Sequence, residues 1–202
     1  MDDRQAPIGF LGFGEAGFHL ARGLRSAGAS PLIAFDIKAA QGAAGERIRA
    51  RAAETGTRLV ETPRALAGGA HVILSVVTAA SAREAAESLA ADLTPNHLYV
   101  DLNSVSPATK QDVAAAIGAG AGRFVEGSIM APVPGAGHRV PILLNGPSAS
   151  ALVDALSPYR MRLKHRRHRR KKKASSKDSL ASTRTSFPRL PVRQPAWVRG
   201  PI

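Results

Sequence analysis

Three glycines, Gly12, Gly14 and Gly17, stand in G-x-G-x-x-G spacing within "IGFLGFGEAGFHLARGL", where an apolar run gives way to a segment of helical character. A turn of this kind suits a diphosphate. Gly12 permits the tight turn, Gly14 lets the backbone approach a pyrophosphate, and Gly17 lets helix and strand pack closely. The residues between and beside them, Phe13, Glu15 and Ala16, would present N–H groups at the positive end of a helix dipole. The next apolar run ends at Asp36, about 20 residues on, where a carboxylate can accept hydrogen bonds from a ribose diol. A glycine pattern alone is equally a structural turn beside a solvated aspartate. Its place between strand and helix, with Asp36 at the required distance, favours a dinucleotide site. A carboxylate at that position repels a ribose 2'-phosphate and so favours NAD, while Lys38 nearby leaves NADP open.

In open parallel sheets ligands sit outside the carboxyl ends of the strands, so small polar groups after other apolar runs are further candidates. Thr78 follows "HVILSVV", and Asn103 and Ser104 follow "LYVDL". Each is placed to meet the cofactor's sugar or nicotinamide. Each is also a residue type that caps helices for local reasons, and for Ser106, directly before Pro107, capping is the better account.

These residues need a scaffold, and the chain supplies one in its alternation of short apolar β-type runs with Ala-rich helical segments, the pattern of βαβ units around a parallel sheet. Strands are expected at 8–12, 31–36, 58–60, 71–77, 98–103, 123–127 and 141–146. Several are apolar at nearly every position, as strands covered on both faces are. Helices are expected over 14–28, with Gly28 as terminator, and over 81–93, 106–120 and 148–159. The fold class is therefore α/β, a Rossmann-type doubly wound and mostly parallel sheet. It is expected to end near residue 158, leaving 159–202 as a basic, disordered tail.

Charge divides the chain at the same place. Residues 1–159 hold 13 Lys and Arg against 14 Asp and Glu, whereas residues 160–202 hold 15 Lys and Arg against Asp178 alone. The overall formal charge of +13 thus belongs to the tail. Cysteine is absent, no apolar run approaches the roughly 20 residues that cross a bilayer, and the acidic "MDDRQAP" is no secretory leader, so a soluble cytoplasmic protein without membrane contact is expected.

The segments "GFLGFGEAG", "DLNSVSPATK" and "VEGSIMAPVPGAGHRVPILLNGP" together resemble the β-hydroxyacid dehydrogenase superfamily, which includes 3-hydroxyisobutyrate and 6-phosphogluconate dehydrogenases. The likeness spans residues 7 to about 158 and is greatest to an uncharacterised branch carrying a "MAPVP" loop. It implies a Rossmann domain followed by an all-helical domain, with hydride passing between a small hydroxy acid and the nicotinamide, and a lysine of the helical domain as general base. It assigns Gly12, Gly14, Gly17 and Asp36 to the cofactor, with Asn103 and Ser104 as the polar pair after the fifth strand. It assigns Pro132, Val133, Pro134, Gly135, Ala136 and Gly137 to the substrate loop. Pro134 stands where the family's usual A-P-V-S-G-G has serine, so the hydroxyl is missing, and a proline has no N–H to offer. Backbone N–H groups from Gly135 to Gly137 could still hold an anion as a nest. His138 is a weaker candidate, as lone loop histidines are more often solvated.

Beyond residue 158 the resemblance predicts long helices carrying the base, and the chain reads "RMRLKHRRHRRKKKASSKD" instead. Lys164, Lys171, Lys172, Lys173 and Lys177 lie on no amphipathic pattern, and a solvated lysine is a poor base at neutral pH. The expectation is a cofactor-binding domain without its catalytic half, so neither turnover nor the oligomeric state, which the family's helices set, can be read. Three accounts compete for the basic run: a nucleic-acid patch, a solvated tail, and a slip of the coding frame near residue 160. The run lacks interleaved aromatics and any surrounding recognition module, so nucleic acid is not the expected partner. His165 and His168 are embedded in like charge, and no other histidine has carboxylate neighbours at ligand spacing, so no metal is expected.

Overall fold

The computed structural model describes residues 6–165. Eight strands form one sheet in the order β3-β2-β1-β4-β5-β6-β7-β8. The strands are β1 (Ile8–Leu11), β2 (Leu32–Phe35), β3 (Arg58–Leu59), β4 (Val72–Ser75), β5 (Leu98–Asp101), β6 (Arg123–Ile129), β7 (Ile142–Asn145) and β8 (Leu163–His165). All neighbours pair in parallel except β6 and β7, which are antiparallel. The helices are α1 (Glu15–Ser26), α2 (Gly42–Thr55), α3 (Pro63–Gly69), α4 (Ala82–Ala90), α5 (Pro107–Ala119), the four-residue α6 (Val133–Ala136) and α7 (Ala149–Leu156). The expected doubly wound α/β sheet is the fold observed.

Strand alternation produces two cores. Ile8, Phe10, Val72, Leu74, Leu98 and Val100 face α1, α2 and α7, while Leu11, Ile33, Ile73 and Tyr99 face α3, α4 and α5. With both faces covered, the central strands have no solvated side, which is why they read as nearly continuous apolar runs. Tertiary hydrogen bonds bring β1 and β2 to the glycine turn: Gly12 N–H donates to the Phe35 carbonyl at 2.8 Å. Capping behaves as local chemistry requires. Ser106 accepts from Thr109 N–H at 3.2 Å at the start of α5, and Gly28, at a φ of +91°, follows the last turn of α1.

Two segments run past their expected ends, while the strands expected at 71–77 and 98–103 stop at Ser75 and Asp101. β6 runs on to Ile129, two residues beyond the expected end, because antiparallel β7 pairs Ile129 with Ile142. The fold also continues past residue 158, where tail was expected. Tyr159 is buried in a 3-10 turn, and β8 then adds to β7 with Ile142 opposite Leu163 and Leu144 opposite His165. "MRLK" does alternate apolar and basic residues with a period of two, a strand signal hidden by the cation run it opens. The expectation for the rest of the tail, from residue 166, lies outside the described residues.

This extension generates a stability prediction. A chain ended at residue 158 loses Tyr159, Met161 and Leu163 from the core around α7, and should be less stable than one ended at residue 165 by roughly 3–5 kcal/mol, the cost of deleting a large buried side chain. Thermal melting of the two chains measures it, and equal midpoints would deny β8 that role.

Candidate cofactor site

The glycine turn lies at the carboxyl end of β1, between β2 and β4, where the chain order of the sheet reverses. Each glycine meets a different constraint. A Cβ on Gly12, whose φ is +89°, would stand 2.9 Å from both the Val76 carbonyl oxygen and Val77 Cγ1. One on Gly17 would stand 2.8 Å from the Gly12 oxygen and 3.3 Å from Val76 Cγ2. Around Gly14 nothing lies within 4 Å of that position. Gly12 and Gly17 are therefore glycine because protein fills the space, and Gly14 because the space is open.

That opening faces a helix end that needs an anion. Gly14 is the N-cap of α1 and provides no side-chain cap, and the first helical N–H bonded back to it is that of Phe18, at 3.1 Å. The N–H groups of Glu15, Ala16 and Gly17 consequently lack intrahelical acceptors, the arrangement that binds a pyrophosphate. Glu15 is exposed and Ala16 half-buried. Phe13 contributes no side chain to the site: its ring is fully buried, edge-on to Phe10 at 5.7 Å. Its N–H matters instead, donating to Asp36 Oδ2 at 2.7 Å, while Lys38 N–H donates to Asp36 Oδ1 at 2.9 Å. Asp36 thereby ties β2 to the turn and keeps lone pairs for a ribose diol, since a carboxylate offers about four acceptor positions. The residues present fit a dinucleotide with an unphosphorylated ribose.

The polar candidates after β4 and β5 separate in role. Thr78 is exposed, its Oγ1 2.9 Å from Ser81 Oγ. Ser104 is exposed and lines a cleft of about 200 Å³ between the β5–α5 loop and β6, together with Asn103, Lys110, Glu126 and Ser128. Asn103 is buried and committed to protein. Its Oδ1 accepts from Val77 N–H at 2.8 Å, and its Nδ2 donates to Ser75 Oγ at 3.0 Å and to Asp101 Oδ1 at 2.6 Å. It straps β4 to β5 and has no donor left for a nicotinamide.

Lys110 is the residue that sequence reasoning missed. Its Nζ pairs with Asp101 Oδ2 at 2.9 Å and donates to the carbonyls of Asp101 at 3.0 Å and Gly127 at 3.4 Å. A signal existed: Lys110, Val113 and Ile117 fall at i, i+3 and i+7, which puts a cation on the apolar stripe of α5.

The loop expected to meet substrate wraps back over α1. Val133 is buried, whereas Pro132, Pro134, Gly135 and Ala136 are exposed and Gly137 is half-buried. Gly135 and Gly137 have φ values of +86° and +54°, and a Cβ on Gly137 would lie 3.3 Å from the His19 carbonyl. His138 is buried, unlike the solvated loop histidine expected. Its imidazole packs on α1 at Gly23, where any Cβ would collide with it, and its Nε2 has no partner. Burial, aided by the neighbouring Arg139 charge, holds its pKa below the ordinary histidine value.

The residue 7–152 segment matches the model of the NAD binding domain of 6-phosphogluconate dehydrogenase. The chain belongs to this family. The NAD-binding domain is also similar to a conserved hypothetical protein from Sinorhizobium meliloti 1021, with 39% identity and a TM-score of 0.76 over 81% of this chain and 54% of that one. The conserved protein MTH1747, described as structurally similar to 3-hydroxyacid dehydrogenases, is 27% identical with a TM-score of 0.68 over 79% of this chain and 57% of its own. The fold alone is shared with an imine reductase from Myxococcus stipitatus in complex with NADP+, which has 18% identity and a TM-score of 0.65 over 79% of this chain and 54% of that one. A variant of that reductase is in complex with NAD+. The chain thus spans little more than half the length of these relatives. No curated protein matches it.

Two predictions follow from the packing of the NAD-binding domain. Gly14→Ala should cost about 1 kcal/mol or less in stability yet weaken NADH binding sharply, whereas Gly17→Val should destabilise by roughly 1–3 kcal/mol through overpacking. Chemical denaturation beside fluorescence titration separates the two effects. For His138, the unfolded chain binds a proton more readily than the folded one. Its contribution to stability is therefore fully present above the unfolded value near 6.5 and is lost as pH falls below it. His138→Gln should flatten that part of the stability profile, measured by denaturation from pH 7.5 to 5.

Proposed function

We propose that this domain holds NAD for an oxidoreductase that moves hydride between the nicotinamide and a small hydroxy acid. The observation that carries the proposal is the open, uncapped helix start at Gly14 beside an aspartate already fixed on the turn. NAD bound there would supply the hydride acceptor. The uncapped N–H groups of α1 would bind its pyrophosphate, and Asp36 would take the adenosine ribose diol and disfavour a 2'-phosphate. Hydroxy-acid chemistry rests on the likeness to MTH1747 and on the loop of residues 132–137, which lies at the carboxyl end of β6 and carries two glycines at positive φ. The setting we propose is the cytoplasm, in keeping with a chain that has no cysteine.

A second reading, a nucleotide-binding module without turnover of its own, is favoured by Lys110. Among the described residues it is the lysine that lines the cleft, and its Nζ is paired with the Asp101 carboxylate and donates to two backbone carbonyls, so it is not poised to take a substrate proton. A general base would then come from residues outside those described.

Titrating the full chain with NADH and following nicotinamide fluorescence tests the cofactor assignment. Saturable binding at micromolar to low millimolar concentration is expected, with NADPH weaker, and Asp36→Ser should narrow that preference about tenfold or more. No saturation by either cofactor would refute the assignment. Reduction of NAD with a panel of 3-hydroxy acids distinguishes the dehydrogenase from the silent module.

A further inference from the structure

We propose that Lys110 is a positioning residue for the cofactor: through Asp101 and Asn103 it fixes the Val76–Val77 segment on which the glycine turn rests. The inference builds on the NAD assignment above and concerns a residue on the far side of the sheet from α1. The connection can be followed atom by atom. Lys110 Nζ binds Asp101 Oδ2, and Asp101 Oδ1 accepts from both the backbone N–H and the side-chain Nδ2 of Asn103, at 3.0 and 2.6 Å. Asn103 Oδ1 then holds Val77 N–H at 2.8 Å, and Gly12 and Gly17 pack directly on Val76 and Val77.

Stability alone gives little reason for such a pair. The two side chains are 11% and 0% exposed, and at that depth desolvation offsets most of the Coulombic gain, so the attraction between the charges by itself adds little to stability. Direction is what the ions add. With Lys110 holding Oδ2, Asp101 presents Oδ1 to Asn103 as an acceptor. The Asn103 amide must then aim both N–H groups at Asp101 and Ser75, leaving its oxygen for Val77. Without the carboxylate Nδ2 keeps only Ser75 Oγ as a partner and the Asn103 backbone N–H keeps none, so the side chain is held less firmly. The Val77 N–H, and the surface under the glycine turn, would then lose their fixed position.

The test compares NADH affinity with stability in the full chain. In Lys110→Met a carboxylate is left buried without its cation and folding itself is endangered, so the informative variant is Asp101→Leu with Lys110→Met, which removes both charges. It should melt lower, because two buried Asn103 N–H groups lose their acceptor, but unlike the Leu156→Ala control below it should also bind NADH on the order of tenfold more weakly and exchange the Val77 amide hydrogen faster. Asn103→Ala, which leaves the ion pair intact, should show the same losses. Combining all three substitutions should weaken binding no further than Asn103→Ala alone, because the groups act in series. As a control, Leu156→Ala in α7 should lower the melting point without changing affinity.

Multiplying losses in the combined variant, or wild-type affinity in the charge-free variant, would overturn the proposal. If that variant does not fold, Asn103→Ala decides it: faster Val77 exchange with unchanged NADH affinity is the contrary result. A wild-type chain that binds no NADH removes the cofactor assignment itself, whereas a wild type that binds while the variants bind equally removes only the role of Lys110.

Discussion

The rest of this structure depends on one close approach. Gly12 and Gly17 bring the β1–α1 turn into contact with the end of β4, near enough that a single methyl group at either position would have to displace a carbonyl or a valine. That contact sets where α1 begins, and so where its unpaired N–H groups point. It also explains the opposite condition at Gly14, the one position of the fingerprint with open space around it. Two glycines are packed tightly here and the third is left uncovered, at the start of a helix.

Two polar devices hold the turn from its flanks. On the β2 side Asp36 accepts from Phe13 N–H, so the group expected to recognise the ribose also anchors the glycine turn. On the β4 side Val77 N–H is held by Asn103, which is oriented by a buried ion pair between β5 and α5. The first device is half-buried and free to accept more hydrogen bonds. The second is buried and enclosed by protein groups, which suits positioning better than catalysis. Together the two devices fix the glycine turn from both neighbouring strands.

The segment after β6 shows how one loop serves two elements. Its exposed part, Pro132 and Pro134 to Ala136, stays at the carboxyl end of the sheet, while Val133, His138 and Val140 are buried within the fold. His138 occupies the space that Gly23 leaves on α1, which turns a residue with acid–base potential into packing. The antiparallel return of β7 and the addition of β8 then extend the sheet beyond its dinucleotide-binding half.

Local chemistry made much of this legible in the residues themselves. The glycine spacing, the strand-end aspartate, the doubly buried apolar runs and the Ser106 cap follow from short-range rules, since turns, caps and strand burial are decided by a few neighbouring side chains. The sequence determined the fold class and marked the glycine turn as the candidate cofactor site. Only the tertiary structure could decide what Asn103, Lys110 and His138 do, because each acts through partners on other elements, in Val77, in Asp101 and Gly127, and in Gly23. β8 belongs to the same class: "LKH" becomes a strand because β7 offers it an edge, and the alternation in "MRLK" does not by itself announce that partner. Burial reverses the ordinary reading of a polar residue. A lysine on an apolar stripe or a histidine in a loop acquires its role from the partners that enclose it.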